Sequence, residues 1–116
     1  PIYPIAGGTV TFSGMQGSYG YMVVIDHGDG IQSWYAHCNT LCVGVGNQVT
    51  TDTLIATVGS TGNSTGPHLH LEIRVNGTAV NPQNNKYLNK KLFKYFLIYI
   101  NFDEISKKCY NYKVYE

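Results

Sequence analysis

The chain has 116 residues, a formal net charge of +1, 13 glycines and three cysteines. That length suits one small domain with a real core, and a near-neutral balance excludes the strong field expected of a nucleic-acid or anionic-membrane binder. The longest apolar run, Phe96–Ile100, falls far short of the ~20 residues a membrane helix needs.

Charge and glycine are unevenly shared. All the glycines lie in residues 1–83, where one arginine faces Asp26, Asp29, Asp52 and Glu72 for a net of −3. All seven lysines lie in residues 84–116, against Asp103, Glu104 and Glu116, for a net of +4. The chain therefore reads as a Gly-rich body followed by a Lys/Tyr-rich tail. It begins at Pro1 rather than Met, as a piece of a longer polypeptide would, so the lack of a signal peptide carries no information. Cys38, Cys42 and Cys109 form no C-x-x-C pair, and small thiols are a better reading than a disulfide between Cys38 and Cys42.

In chain order, Gly8–Ser13 is β-branched and reads as a strand ending at Gly14. Tyr21–Asp26 is an apolar strand, Gly28-Asp29-Gly30 a turn, and Ile31–His37 the returning strand of a hairpin. Gly44 and Gly46 predict a tight loop between Val43 and Val49, and Leu54–Val58 is a further strand. Asn76-Gly77 joins the strand that ends at Val75 to Thr78–Val80, a strong hairpin signal. Helical periodicity is absent before residue 83, so the fold class is all-β: a small antiparallel sandwich or barrel-like core. In the tail, Leu88, Leu92, Phe93, Phe96 and Ile100 recur at helix-like intervals, which predicts either a C-terminal helix or a disordered extension.

The most informative stretch is Gly59-Ser-Thr-Gly-Asn-Ser-Thr-Gly-Pro-His68-Leu-His70. Its glycines, proline and hydroxyl residues predict a loop whose backbone approaches something closely. Residues two apart on a strand share a face, so His68 and His70 project together while Leu69, Leu71, Ile73 and Val75 face the other way. Paired imidazoles at a loop mouth suit a metal site or proton transfer, and the alternative is two surface histidines on a solvated strand face. On the same reading His27 is a solvated turn residue, and Glu72 is an exposed strand carboxylate or, alternatively, a partner for an imidazole. Trp34 or Tyr35 could line a groove, with the other packed in the core.

Several segments in order resemble the lysostaphin-type (LytM-like) zinc metallopeptidases, which cut peptide cross-bridges of bacterial peptidoglycan. These are Pro1-Ile2-Tyr3 through Val10, Gly20 through Gly30, Trp34-Tyr35-Ala36-His37, the Gly59–His70 loop, Asn81-Pro82 and Tyr87-Leu88. The resemblance covers residues 1–88 as a core domain and leaves 89–116 as a tail. It implies a zinc (Zn2+) cofactor, with His70 as the third metal ligand. It also implies that His37 and His68 are unligated active-site residues that deprotonate or orient the attacking water and stabilise the oxyanion. Zinc brings the pKa of bound water toward ~7, where imidazole can take the proton. The implied partner is a peptidoglycan peptide rather than nucleic acid. The implied location is the bacterial envelope or exterior, and a phage-borne origin fits the same motifs.

The family's other two ligands, a His and an Asp spaced His-x-x-x-Asp, fall before the point matching Pro1, and no such motif occurs in this sequence. The expectation is an enzyme site incomplete in this chain, which by itself cuts nothing. The alternative is a catalytically silent cell-wall-binding or hydrolase-regulating module. The body departs from the family at Asp52 and Ala56, where glycines are usual. A biotinyl- or lipoyl-carrier reading fails because the body has no lysine.

Overall fold

The computed structural model describes residues 1–80 and the backbone of one strand, Tyr112–Tyr115. Eight strands form one sheet: β1 (Gly8–Met15), β2 (Tyr21–Gly28), β3 (Ile31–Leu41), β4 (Gln48–Val49), β5 (Ala56–Val58), β6 (Leu69–Val75), β7 (Thr78–Val80) and β8 (Tyr112–Tyr115). Among the described residues the one helical element is a 3-10 turn, Gly17–Tyr19. The order is β4-β1-β2-β3-β6-β7, with β5 on β3 and β8 on β6. All pairs are antiparallel except β6–β8. The chain is thus all-β, and the sheet is open rather than closed into a barrel. The expected helix over Leu88–Ile100, the boundary after residue 88, and the matches at Asn81-Pro82 and Tyr87-Leu88 lie outside the described residues.

The predicted hairpins form where their turn residues stand. Asp29 and Asn76 take left-handed backbone (φ 54° and 50°), as tight β-turns demand and as Asp and Asn tolerate. The turn at Asp52 forms without a glycine, because the Thr50 and Thr53 hydroxyls accept from the Asp52 and Thr50 N–H groups. Only Ala56–Val58 of the predicted Leu54–Val58 strand is paired as a strand.

Both faces of the central strands are covered. Val23 and Ile25 of β2, Ile31 and Tyr35 of β3, and Leu69, Leu71 and Ile73 of β6 join Ile2, Ile5, Val10 and Ile55 in the main core. The alternate residues Met22, Val24 and Ala36 pack with Phe12, Tyr19 and Trp34 on the opposite face. Burial on two sides explains why β2 is apolar without alternation. Truncating a core residue such as Leu71 to alanine is worth about 2–5 kcal/mol in a site like this.

His27 does not stand in solvent as expected. It is 8% exposed, with Nδ1 2.8 Å from the Gly7 carbonyl oxygen and Nε2 2.7 Å from Ser33 Oγ, which in turn lies 2.8 Å from Tyr35 Oη. The histidine is inward because β2 runs past the expected end at Asp26, and the alternation that buries Val23 and Ile25 continues to His27. Burial lowers its pKa, against a smaller upward pull from the Gly7 carbonyl and Asp26. A lowered folded-state pKa means the unfolded chain binds the proton more tightly. The stability His27 lends is therefore complete above the ordinary imidazole range and lost as pH falls below about 6.5. Urea midpoints should drop through that window, and His27→Gln should flatten the drop; an unchanged slope would remove His27 as its cause.

Candidate active site

The three singled-out histidines come from two neighbouring strands and the loop between β5 and β6. Alternation along β6 puts Leu69, Leu71 and Ile73 into the core and leaves His70, Glu72 and Arg74 on the opposite face. His68 precedes β6 and is fixed by a bridge to Gly59, its N–H donating to the Gly59 carbonyl at 3.1 Å.

His37 arrives by a different route. Through Ala36, β3 pairs with β6, and Ala36 lies directly opposite His70. From Cys38 onward β3 pairs with β5 instead. At the changeover the β2–β3 register shifts, and His37 takes a left-handed backbone with φ 59°. Such a bulge re-aims one side chain at a cost of ~1–3 kcal/mol. Without it, strict alternation would send His37 to the core face with Tyr35. Relief of that strain makes a prediction: His37→Gly should be more stable than His37→Ala by ~1 kcal/mol, because glycine alone lacks the left-handed penalty. Equal melting temperatures would show that the bulge stores no strain.

The rings of His37 and His68 lie 4.9 Å apart and those of His37 and His70 5.5 Å apart, centroid to centroid. One nitrogen from each of the three falls within 4.8 Å of the others. They share a cleft of about 400 Å3 with Ser18, Tyr19, Asn63, Ser64 and Thr65. The Tyr19 ring stands edge-on to His70 at 5.6 Å.

Each imidazole is anchored through one nitrogen. His37 Nδ1 lies 2.7 Å from the Thr61 carbonyl oxygen, His68 Nδ1 2.9 Å from that of Gly66, and His70 Nε2 2.9 Å from Glu72 Oε2. A carbonyl or carboxylate oxygen can only accept, so each anchored nitrogen carries the proton when the ring is neutral. That assignment leaves His37 Nε2, His68 Nε2 and His70 Nδ1 as the basic nitrogens. Burial lowers the pKa of His37, with the neighbouring His68 and His70 adding to the drop and the Thr61 carbonyl opposing it. Its ring is accordingly neutral at pH 7 and able to accept a proton.

Glu72 is 4% exposed, which corrects its expected exposure and favours its role as an imidazole's partner. The face it shares with His70 is roofed by Tyr19, Trp34 and Arg74, a cluster that alternation alone does not reveal. Burial pushes its pKa up, but hydrogen bonds from His70, Tyr19 and Arg74 outweigh this and hold the carboxyl below its ordinary value. Tyr35 is the core member of the Trp34-Tyr35 pair, and Trp34 lies on the site face.

The loop residues explain their own composition. The Thr61 hydroxyl donates to the Cys38 carbonyl at 2.6 Å and accepts from the Tyr21 N–H at 3.1 Å. Asn63 N–H donates to the Ser18 carbonyl at 2.8 Å. The close approach signalled by the glycines is therefore, at Gly62, to the chain's own backbone, whereas a Cβ at Gly66 would meet open space. Cys38 is a buried thiol and Cys42 an exposed one.

His70, its ring oriented by the Glu72 carboxylate behind it, offers a nitrogen donor of the kind a zinc site takes, with the imidazoles of His37 and His68 beside it. Comparison with known proteins gives the same direction. The model of peptidase family M23 matches residues 1–82. Over 82 residues the chain is 48% identical to the DD-carboxypeptidase/endopeptidase Mpg of Neisseria meningitidis, covering 71% of this chain and 19% of that protein. It is 44% identical over 79 residues to the murein hydrolase activator EnvC of Escherichia coli, covering 68% of this chain and 19% of EnvC. The catalytic domain of the antimicrobial peptidase lysostaphin from Staphylococcus simulans superposes with a TM-score of 0.66 at 33% identity, over 71% of this chain and 66% of that one. A zinc-containing peptidase from Vibrio cholerae superposes with a TM-score of 0.62 at 33% identity, over 65% of this chain and 23% of that one.

Proposed function

The chain belongs to peptidase family M23, and from that premise we propose that it carries the His-x-His half of a zinc metalloendopeptidase site acting on peptide cross-bridges of bacterial peptidoglycan. The observation that carries this reading is the convergence of His37, His68 and His70 on one cleft, each held by an oxygen acceptor behind the ring. In the proposed site His70 would hold the metal through Nδ1. Zinc, when bound, would polarise the scissile carbonyl and acidify a water.

The protein's own residues would do the rest. His37 Nε2, neutral at pH 7, would take a proton from the attacking water. His68, whose ring lies 4.9 Å from that of His37, would receive that proton on Nε2, face the oxyanion while charged and then give it to the leaving amine, which returns both rings to the neutral form. The backbone carbonyls of Thr61 and Gly66 would keep both rings in the tautomer that presents Nε2. Tyr19 and the Asn63–Thr65 loop would wall the cleft that takes the peptide. Relatives named for work on murein point to the cell envelope or exterior as its place of action.

A second reading, a hydrolase-regulating or wall-binding module, is favoured by the similarity to a murein hydrolase activator. The two separate on purified peptidoglycan. The chain would be assayed alone and extended before Pro1 by a family segment that carries His-x-x-x-Asp. The enzyme reading expects soluble peptide fragments from the extended, zinc-loaded chain and none from the chain alone. Retention on the wall without release, even with the ligands supplied, would establish the regulatory reading.

A further inference from the structure

We propose that Arg74 is a positioning residue: it clamps Glu72 so that the Glu72 carboxylate holds His70 with Nδ1 turned to the histidine cluster. The inference rests on the reading of His70 as the metal-holding residue, and it names how that residue is aimed.

His70, Glu72 and Arg74 sit on one face of β6, directly opposite Ala36, Trp34 and Gln32 of β3. Arg74 lies over Trp34, its diagonal neighbour across the two strands, with Cζ 3.7 Å from the centre of the ring. Its Nη2 donates to Glu72 Oε1 at 2.9 Å and to Tyr19 Oη at 3.2 Å, and its Nη1 donates to the Gly77 carbonyl at 3.2 Å. The stack on Trp34 and these contacts fix the guanidinium plane, which a lysine ammonium could not reproduce.

The two oxygens of Glu72 are divided. Oε1 takes the Arg74 donor and Oε2 takes His70 Nε2 at 2.9 Å. A carboxylate this deeply buried must have partners for its charge. Removing Arg74 leaves Oε1 without its cation and Tyr19 as the carboxylate's remaining side-chain donor besides His70, so the carboxylate would swing off its present line and loosen its hold on His70. The imidazole would then be free to exchange its proton between ring nitrogens, and Nδ1 would no longer be reserved as the basic atom. The aim of His70 thus depends on a side chain two positions beyond Glu72 that is not among the residues lining the histidine cleft.

The test is long-range 1H–15N correlation of the imidazoles in the full chain at neutral pH, without metal. The wild type should show His70 as the Nε2–H tautomer, with its two ring-nitrogen shifts far apart, and His37 and His68 as Nδ1–H tautomers. In Arg74→Met, which keeps the apolar stem over Trp34, the His70 shifts should converge while those of His37 and His68 stay put. Arg74→Lys should restore the separation in part. A folded Arg74→Met protein in which His70 remains fully Nε2–H would overturn the proposal. So would a wild-type His70 in the other tautomer. Should Arg74→Met fail to fold, the wild type still decides: a held guanidinium gives separately resolved, slowly exchanging Nη protons, and a single averaged signal would overturn the clamp. None of these readouts involves zinc or peptidoglycan, so failure of the hydrolase reading would leave them unchanged.

Discussion

Replacing His68 with alanine in the extended, zinc-loaded chain is expected to slow peptidoglycan hydrolysis by roughly 10²–10⁴-fold, the usual worth of a positioned acid–base group. The proposed role requires a basic nitrogen at a fixed place. His68 meets that need through Nδ1, held 2.9 Å from the Gly66 carbonyl oxygen with Ser64 Oγ at 3.3 Å, which reserves Nε2 for proton transfer. His68→Gln should fail almost as badly, since an amide of similar reach can donate a hydrogen bond but cannot shuttle a proton. Ser64→Ala removes only the weaker of the two contacts and should cost far less. Fragment release would be followed by chromatography at saturating substrate. A loss of less than about tenfold on His68→Ala would place the acid–base work elsewhere.

Gly62→Ala is expected to harm the fold severely for the single carbon it adds. Gly62 has φ 71°, and a Cβ there would collide with the backbone nitrogen of Gly20 and the carbonyl oxygen of Ser18. Left-handed strain contributes ~1–2 kcal/mol and overpacking against unyielding backbone ~1–3 kcal/mol. A loss of roughly 2–5 kcal/mol is a large part of the ~5–15 kcal/mol that holds a domain together. The control is Gly46→Ala. Gly46 has φ 91° but open space around the would-be Cβ, so it should show the conformational part alone. Urea unfolding of both variants checks the claim, and equal losses would show that the Gly62–Gly20 contact is slack. The same contact seats the loop carrying Thr61, whose carbonyl anchors His37, so a folded Gly62→Ala protein should also show a disturbed His37 ring.

Much of this architecture is legible in the sequence because it rests on local chemistry. The strict alternation from Leu69 to Val75 reveals β6 and the shared face of His70 and Glu72. Asp29-Gly30 and Asn76-Gly77 announce their hairpins. What the sequence hides depends on what packs against each face. His27 and Glu72 read as exposed because nothing local marks the cover that Gly7 and Ser33 give the one, or Tyr19, Trp34 and Arg74 give the other. The bulge at His37 is hidden for another reason. Left-handed backbone is usually announced by glycine, and here a histidine takes it; Asn, Asp and His are the non-glycine residues that do so most readily. Arg74 has no motif to mark it at all, since its partners come from β3, the Gly17–Tyr19 turn and the hairpin after β6.

The central claim is a division of labour among three neighbouring imidazoles, with His70 holding metal and His37 and His68 moving protons. Zinc content measured beside fragment release, for alanine variants of each histidine in the extended chain, tests it directly. The account predicts that His70→Ala loses both metal and activity, whereas His37→Ala and His68→Ala keep the metal and lose the activity. Loss of zinc from His37→Ala or His68→Ala as complete as from His70→Ala would contradict it, because all three would then be ligands.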